Sequence, residues 1–158
     1  QDKIKEMAKH CVDVESLFFI GRNIDYAVSL EASLKLKEIS YIHSEAYAGG
    51  ELKHGTISLI EEGRTVIALS CCDALFDKLL SNIKEVRARG AYVITCTNEG
   101  NTAVEAESEQ VIYMPKVHPL LTASVEVLPF QLYSYYVSLY KGCDIDKPRN
   151  LAKSVTVE

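Results

Sequence analysis

The sequence lacks the markers of several large classes of protein. Its five cysteines, Cys11, Cys71, Cys72, Cys96 and Cys143, are an odd count with no CxxC spacing and no grouping with histidine. That excludes a zinc-site pattern and a disulfide framework, and it reads as reduced thiols in a cytoplasmic protein. No apolar run approaches the ~20 residues of a membrane span, and no charged-then-apolar signal opens the chain. No run of like charge occurs. With a net charge of -5 and a pI near 5.4, neither nucleic acid nor an anionic membrane is expected as a partner. A GxGxxG turn, a P-loop and a dense serine and threonine loop are all missing, so no phosphate cradle is evident. Internal repeats, low-complexity segments and linkers are absent too.

What is present is enough apolar sequence for one core. The chain has 158 residues, 47% of them hydrophobic, which predicts a single domain. It opens on Gln1 in an already amphipathic segment, as expected for a piece of a longer protein. Residues 3–10 are helix-prone. Residues 14–20, VESLFFI, run as a strand into Gly21, Arg22 and Asn23. A long helix follows, with Asn23 or Asp25 as N-cap, to about Tyr41. Residues 48–50 break the pattern, and 51–54 can form only a turn or two. Beyond them the elements alternate: strand 65–70, helix 73–89, strand 91–97, a short polar helix over 102–109, strand 111–114, and a helix over 121–140 with Pro129 as a possible kink. Residues 142–158 form a tail. Nearly all-apolar strands alternating with helices predict an α/β fold, with a doubly wound parallel sheet sandwiched between helices.

The long helix carries an unusual stripe. At 100° per residue, Glu31, Lys35 and Glu38 fall within about 60° of one another. Ala27, Val28, Leu34, Ile39 and Ile42 flank them within roughly 80°, while Ser29, Ser33, Ser40 and Lys37 take the opposite face. Two polar sectors on one helix predict that the ionisable one does more than face solvent. An ordinary surface ion pair explains the spacing as well, since Glu31 to Lys35 is the favourable i,i+4 order, worth only a few tenths of a kcal/mol.

Other candidates are weaker. His43 and Glu45, beside Tyr41 and Tyr47 at the helix end, fit a packing role at least as well as a catalytic one. His118 precedes Pro119 in a loop. Cys71 and Cys72 follow a strand but have no histidine near them in sequence, which suits packing better than a nucleophile. By composition the tail KPRNLAKSVTVE suits a frayed terminus.

Two blocks carry more than their chemistry. LEASLKLKEISYIHSEAYAGGELKHG, with GELKHG at its end, and DKPRNLAKSVTVE at the terminus closely resemble the sugar-isomerase part of the isomerizing glutamine:fructose-6-phosphate aminotransferases, the glucosamine-6-phosphate synthases. The resemblance runs over about 17–158. It implies the second of two sugar isomerase (SIS) domains, each a flavodoxin-like parallel sheet of five strands between helices, here with the irregular tail 142–158 closing over the sugar. It also implies a reaction in which fructose 6-phosphate and ammonia from glutamine give glucosamine 6-phosphate, on the way to UDP-GlcNAc and other hexosamines.

In that reading Glu38 moves the proton between C1 and C2 as base and then acid, with its affinity for the proton raised by the apolar flanks. Lys35 tunes Glu38, and Glu31 holds Lys35. His54 serves ring opening across a homodimer interface, and Lys153 engages the sugar carbonyl through a Schiff base. Ala152 lies near the sugar, with Arg149 in support. Neither metal nor organic cofactor is implied. The partners are fructose 6-phosphate or glucosamine 6-phosphate, a second copy, the first SIS domain and a glutaminase domain. Thr56 stands where the family commonly has proline, and Gly49 where it has alanine; both could loosen the loop bearing His54. The phosphate-gripping loop belongs to the first SIS domain, so the isolated chain is expected to be inactive. A sugar-phosphate deglycase of the same fold, or a non-catalytic sugar-phosphate-binding module, stays open as the alternative.

Overall fold

The computed structural model describes residues 1–151. Its elements are α1 (Asp2–His10), β1 (Ser16–Gly21), α2 (Ile24–Ser40), β2 (His43–Ala48), β3 (Thr65–Ser70), α3 (Phe76–Arg87), β4 (Tyr92–Asn98), β5 (Gln110–Met114) and α4 (Thr122–Tyr140). Short 3-10 turns cover Gly49–His54, Thr56–Leu59, Asp73–Leu75, Thr102–Glu107 and Pro119–Leu121. The five strands are all parallel, in the order β2-β1-β3-β4-β5. That is the flavodoxin-like order, with its reversal between β1 and β3.

Side-chain alternation along the central strands divides the core in two. Leu17, Phe19, Ile67, Leu69, Ile94 and Cys96 point to the face covered by α1, α2 and α4. Phe18, Ile20, Val66, Ala68 and Val93 point to the other face, where α3 supplies Leu79, Ile83 and Val86. Every residue of β3 is buried, as a parallel strand covered on both sides requires.

Four features differ from the expectations above. Residues 43–48 form an edge strand paired only to β1, so His43 and Glu45 sit on a strand that begins just past the end of α2. The segment HSEAYA has one fully buried residue, Ser44, and its apolar content is too low to announce a strand. Asp25 does not cap α2 but lies buried within its first turn, while Asn23 holds the cap position with no side-chain hydrogen bond. Residues 102–107 form a 3-10 helix, shorter than the segment predicted. As predicted for 121–140, one helix, α4, contains Pro129.

The fourth difference concerns the faces of α2. Ser29, Ser33 and Ser40, predicted to lie opposite the apolar flanks, are buried, whereas Leu30 and Leu34 are exposed. The serine hydroxyls are satisfied locally. Ser29 and Ser40 donate to the carbonyls of Asp25 and Leu36, at 2.7 and 2.6 Å. The Ser33 hydroxyl donates to the Ser44 carbonyl, and the Ser44 hydroxyl to that of Ser33, both at 3.0 Å. Short side chains with their hydroxyls returned to backbone carbonyls let a helix lie close to a strand at no desolvation penalty. The polar-looking face therefore seats α2 against β2.

Candidate active site on α2

With the serines inward, the charged stripe begins at Glu31 on the flank of α2 that borders α4. Glu31 shares a shallow cleft of about 310 Å³ with Ile24, Ala27, Ala123, Ser124 and Val127. The Lys35 ammonium donates to Glu38 Oε2 at 2.7 Å and lies 3.7 Å from Glu31 Oε1. The three side chains are half-buried, at 42%, 34% and 29% exposure for Glu31, Lys35 and Glu38. Lys35 is held above its ordinary pKa, first by the hydrogen bond to Glu38 and then by the two carboxylate charges, against the opposing effect of burial. It is therefore a fixed cation between two carboxylates. The apolar flanks do not close around the stripe: Val28 and Ile42 are buried, but Leu34 is 43% exposed and Ala27 faces solvent.

The stripe is also displaced from the carboxyl edge of the sheet. α2 starts at that edge, directly after β1, and Glu38 lies fourteen residues beyond Ile24, roughly 21 Å along the helix axis. The carboxyl edge itself is knitted together by its own side chains. Asp25 accepts from the Cys72 amide at 3.0 Å, and Arg22 Nε donates to Asn82 at 3.0 Å. Asp73 accepts from Asn98 and Asn101 and pairs with Lys116 at 3.2 Å; the Asn98 bond is the chief cause of its lowered pKa.

His54 ends the turn that follows β2, exposed, with its Nδ1 2.7 Å from Glu51 Oε2. β2 begins near the Glu38 end of α2 and carries the chain about 20 Å away before His54 is reached. The chain does not bring its own His54 to its own Glu38. His43 and Tyr47 both contact Glu45 along the edge strand, apart from the stripe. His118 accepts the Leu120 amide as the cap of a 3-10 turn. The Cys71 thiol is buried and pushed far up, mainly by its contact with Cys96, and burial raises Cys72 as well. Neither sulfur shows the lowered pKa of an activated nucleophile.

Arg149 is drawn to Tyr41 at the C-terminal end of α2: its amide donates to the Tyr41 hydroxyl at 2.9 Å, and its guanidinium lies over the ring. The tail thus reaches the helix end that carries Glu38. Ala152 and Lys153 lie outside the described residues. Among the described residues no group of three histidine, cysteine or acidic side chains could hold a metal, and no helix is long and apolar enough to cross a membrane.

One buried group went unnoticed in the sequence. Glu126 and Asp25 are each 1% exposed, and among the described residues both Glu126 carboxyl oxygens and Asp25 Oδ1 are buried without a hydrogen-bond partner. Burial, followed by the Asp25 charge, pushes Glu126 up to about 8, and burial pushes Asp25 up to about 6. The signal was available: Glu126 is in register with Phe130, Tyr133 and Val137, all buried, at helical spacing.

Comparison with known proteins agrees with the fold. A family model described as SIS domain matches residues 11–141. The chain is 56% identical over all 158 residues to a glutamine--fructose-6-phosphate aminotransferase [isomerizing] of Caldanaerobacter subterraneus, covering 26% of that protein. Among solved structures it resembles the C-terminal domain of glucosamine-fructose-6-phosphate aminotransferase from Francisella tularensis, with a TM-score of 0.85 and 38% identity over 92% of this chain and 41% of that one. It also resembles a glucosamine-6-phosphate deaminase from Thermotoga maritima, with a TM-score of 0.75 and 25% identity over 98% of this chain and 45% of that one. The chain spans about a quarter of the length of the curated relatives it matches.

Proposed function

The chain belongs to the SIS domain family, and from that premise we propose that it is the second SIS unit of an isomerizing glutamine:fructose-6-phosphate aminotransferase, acting in hexosamine synthesis in the cytoplasm. The observation that carries the reading is the Glu31-Lys35-Glu38 triad, half-buried and ion-paired on the flank of α2.

Ammonia adds to C2 of open-chain fructose 6-phosphate by displacing the Lys153 amine from the Schiff base formed there, giving the imine of ammonia. Glu38 removes a proton from C1 and returns it to C2, while the imine nitrogen gains a proton and the C1 hydroxyl loses one, which yields the 2-amino aldehyde. Lys35 stays protonated at 2.7 Å from Glu38, fixing that carboxylate and balancing its charge. Glu31 holds the ammonium from the other side. His54 comes from a partner subunit, a role supported by its distance from Glu38 in its own chain. Lys153 reaches the carbonyl from the tail, forming a Schiff base with loss of water that ammonia later displaces. The first SIS unit, outside this chain, supplies the phosphate site.

The deaminase from Thermotoga maritima shares the fold, but its 25% identity stands well below the 56% to the aminotransferase. The test is direct: the intact protein containing this chain should form glucosamine 6-phosphate from fructose 6-phosphate and glutamine. Release of ammonia from glucosamine 6-phosphate, with no synthesis from glutamine, would transfer the reading to the deaminase.

A further inference from the structure

Asp25 stands beside Ile24 on α2 and Glu126 beside Val127 on α4, and Ile24 and Val127 both line the cleft that holds Glu31. The two carboxyls are thus buried where the helices meet, next to the wall of that cleft. A buried acid is ordinarily paired with a cation or saturated with amide donors. Here Asp25 Oδ2 takes the Cys72 amide at 3.0 Å, and the other three oxygens have no partner among the described residues. As carboxylates both groups can only accept, and two acceptors cannot satisfy each other. A proton on one makes it a donor to the other. Among the described residues no cation offsets the pair. From the turn after β3 it meets the Cys71 thiol, which is in contact with Cys96 on β4. The Asp73 carboxylate acts on Asp25 and is itself paired with Lys116. Arg22, just before α2, bonds Asn82 instead, and Tyr133 on α4 donates to the Cys11 sulfur. Two neighbouring buried charges without a counter-ion are not sustained together, so the pair keeps a proton at neutral pH.

We propose that Glu126 and Asp25 hold one proton between them and so clamp the start of α2 to α4, making Glu126 a positioning residue for the charged stripe. When that proton is released to solvent the clamp opens and synthesis falls. The proposal rests on the roles assigned above to Glu31, Lys35 and Glu38. The path from clamp to stripe is short. Glu31 lies about 9 Å along α2 from Asp25 and borders Ala123, Ser124 and Val127 of α4 across the cleft. Lys35 is 3.7 Å from Glu31 and 2.7 Å from Glu38. Two like charges in the core separate or draw in water, and either response shifts α2 against α4 beside Glu31. Burial, followed by the Asp25 charge, holds the proton on Glu126 up to about pH 8. By pH 9 about a tenth of the molecules retain it.

The intact synthase tests this at saturating substrate between about pH 7 and pH 9, a window that lies above the value of about 6 for Asp25. Glucosamine 6-phosphate formation is divided by glutamine hydrolysis on the same preparation. The profile is compared with those of Glu126→Gln and Glu126→Leu, one polar and one apolar neutral replacement. The wild-type ratio should fall about tenfold from pH 7 to pH 9 and recover on return to pH 7, while in both variants it stays within about twofold across the window. Difference infrared spectra should show a protonated-carboxyl band in the wild type that is lost between the same two pH values and is absent from both variants. A flat wild-type ratio, a fall of the same size in the variants, or a loss that does not reverse overturns the positioning role. Inactivity of both variants at pH 7 overturns it too, because Glu126 is then structural. A missing infrared band overturns the shared proton. Failure of the underlying reading is distinguishable, because it appears as wild-type synthesis in Glu38→Gln.

Discussion

The Lys35 ammonium donates to Glu38 at 2.7 Å, one turn along the same helix, and its second neighbour, Glu31, stands at 3.7 Å. A surface ion pair in this geometry contributes little to stability. Lys35→Met should therefore leave the fold nearly unchanged, while it removes the cation that fixes the carboxylate. The expected outcome in the intact synthase is a kcat lower by about 10- to 100-fold with KM for fructose 6-phosphate within about threefold of wild type. Steady-state kinetics check it, and an unchanged kcat would separate Lys35 from the chemistry.

The buried pair of Glu126 and Asp25 predicts an unusual pH dependence of stability. Glu126 is raised from 4.5 to about 8 by burial and by the Asp25 charge, so the native state holds more protons than the unfolded chain across that window. Stability is fully present below about pH 4.5 as far as this group is concerned, and it falls as pH rises toward 8. Glu126→Gln removes this titration and leaves that of Asp25, which burial raises to about 6. Urea midpoints at pH 5 and pH 8 should converge in the variant, which should be the more stable protein at pH 8; parallel curves for the two proteins would refute the assignment.

His54 lies a strand length from Glu38 in its own chain, so a shared site predicts complementation. Subunits carrying His54→Ala, mixed with subunits carrying Glu38→Gln, should recover up to about a quarter of wild-type synthesis, because a random mixture is half heterodimer and each heterodimer keeps one intact site. Verified heterodimers with no recovery would count against a site shared between subunits.

The strands that build the sheet were legible because burial on both faces makes them short apolar runs; TVIALS and YVITCTN could be little else. β2 was not, since an edge strand needs only one apolar neighbour and HSEAYA is half-exposed. The serine face of α2 misled for a related reason. Hydropathy counts Ser29, Ser33 and Ser40 as polar, whereas a hydroxyl bonded to a backbone carbonyl packs as a small apolar group. The spacing of Glu31, Lys35 and Glu38 was readable from periodicity, but their position was not. Ligands of open parallel sheets commonly gather at the carboxyl ends of the strands, but the loops there are held together by Asp25, Asp73 and Arg22. Tyr41 gave no signal, since only the fold brings Arg149 to it across 108 residues of sequence.

The claim that α2 carries the chemistry is tested most directly by Glu38→Gln in the intact synthase, with glucosamine 6-phosphate formation and glutamine hydrolysis measured on the same preparation. The variant keeps the shape of the side chain and loses the carboxylate proposed to move the proton. Synthesis should fall by at least about 100-fold while hydrolysis of glutamine stays within about twofold of wild type. Synthesis at the wild-type rate would contradict the account.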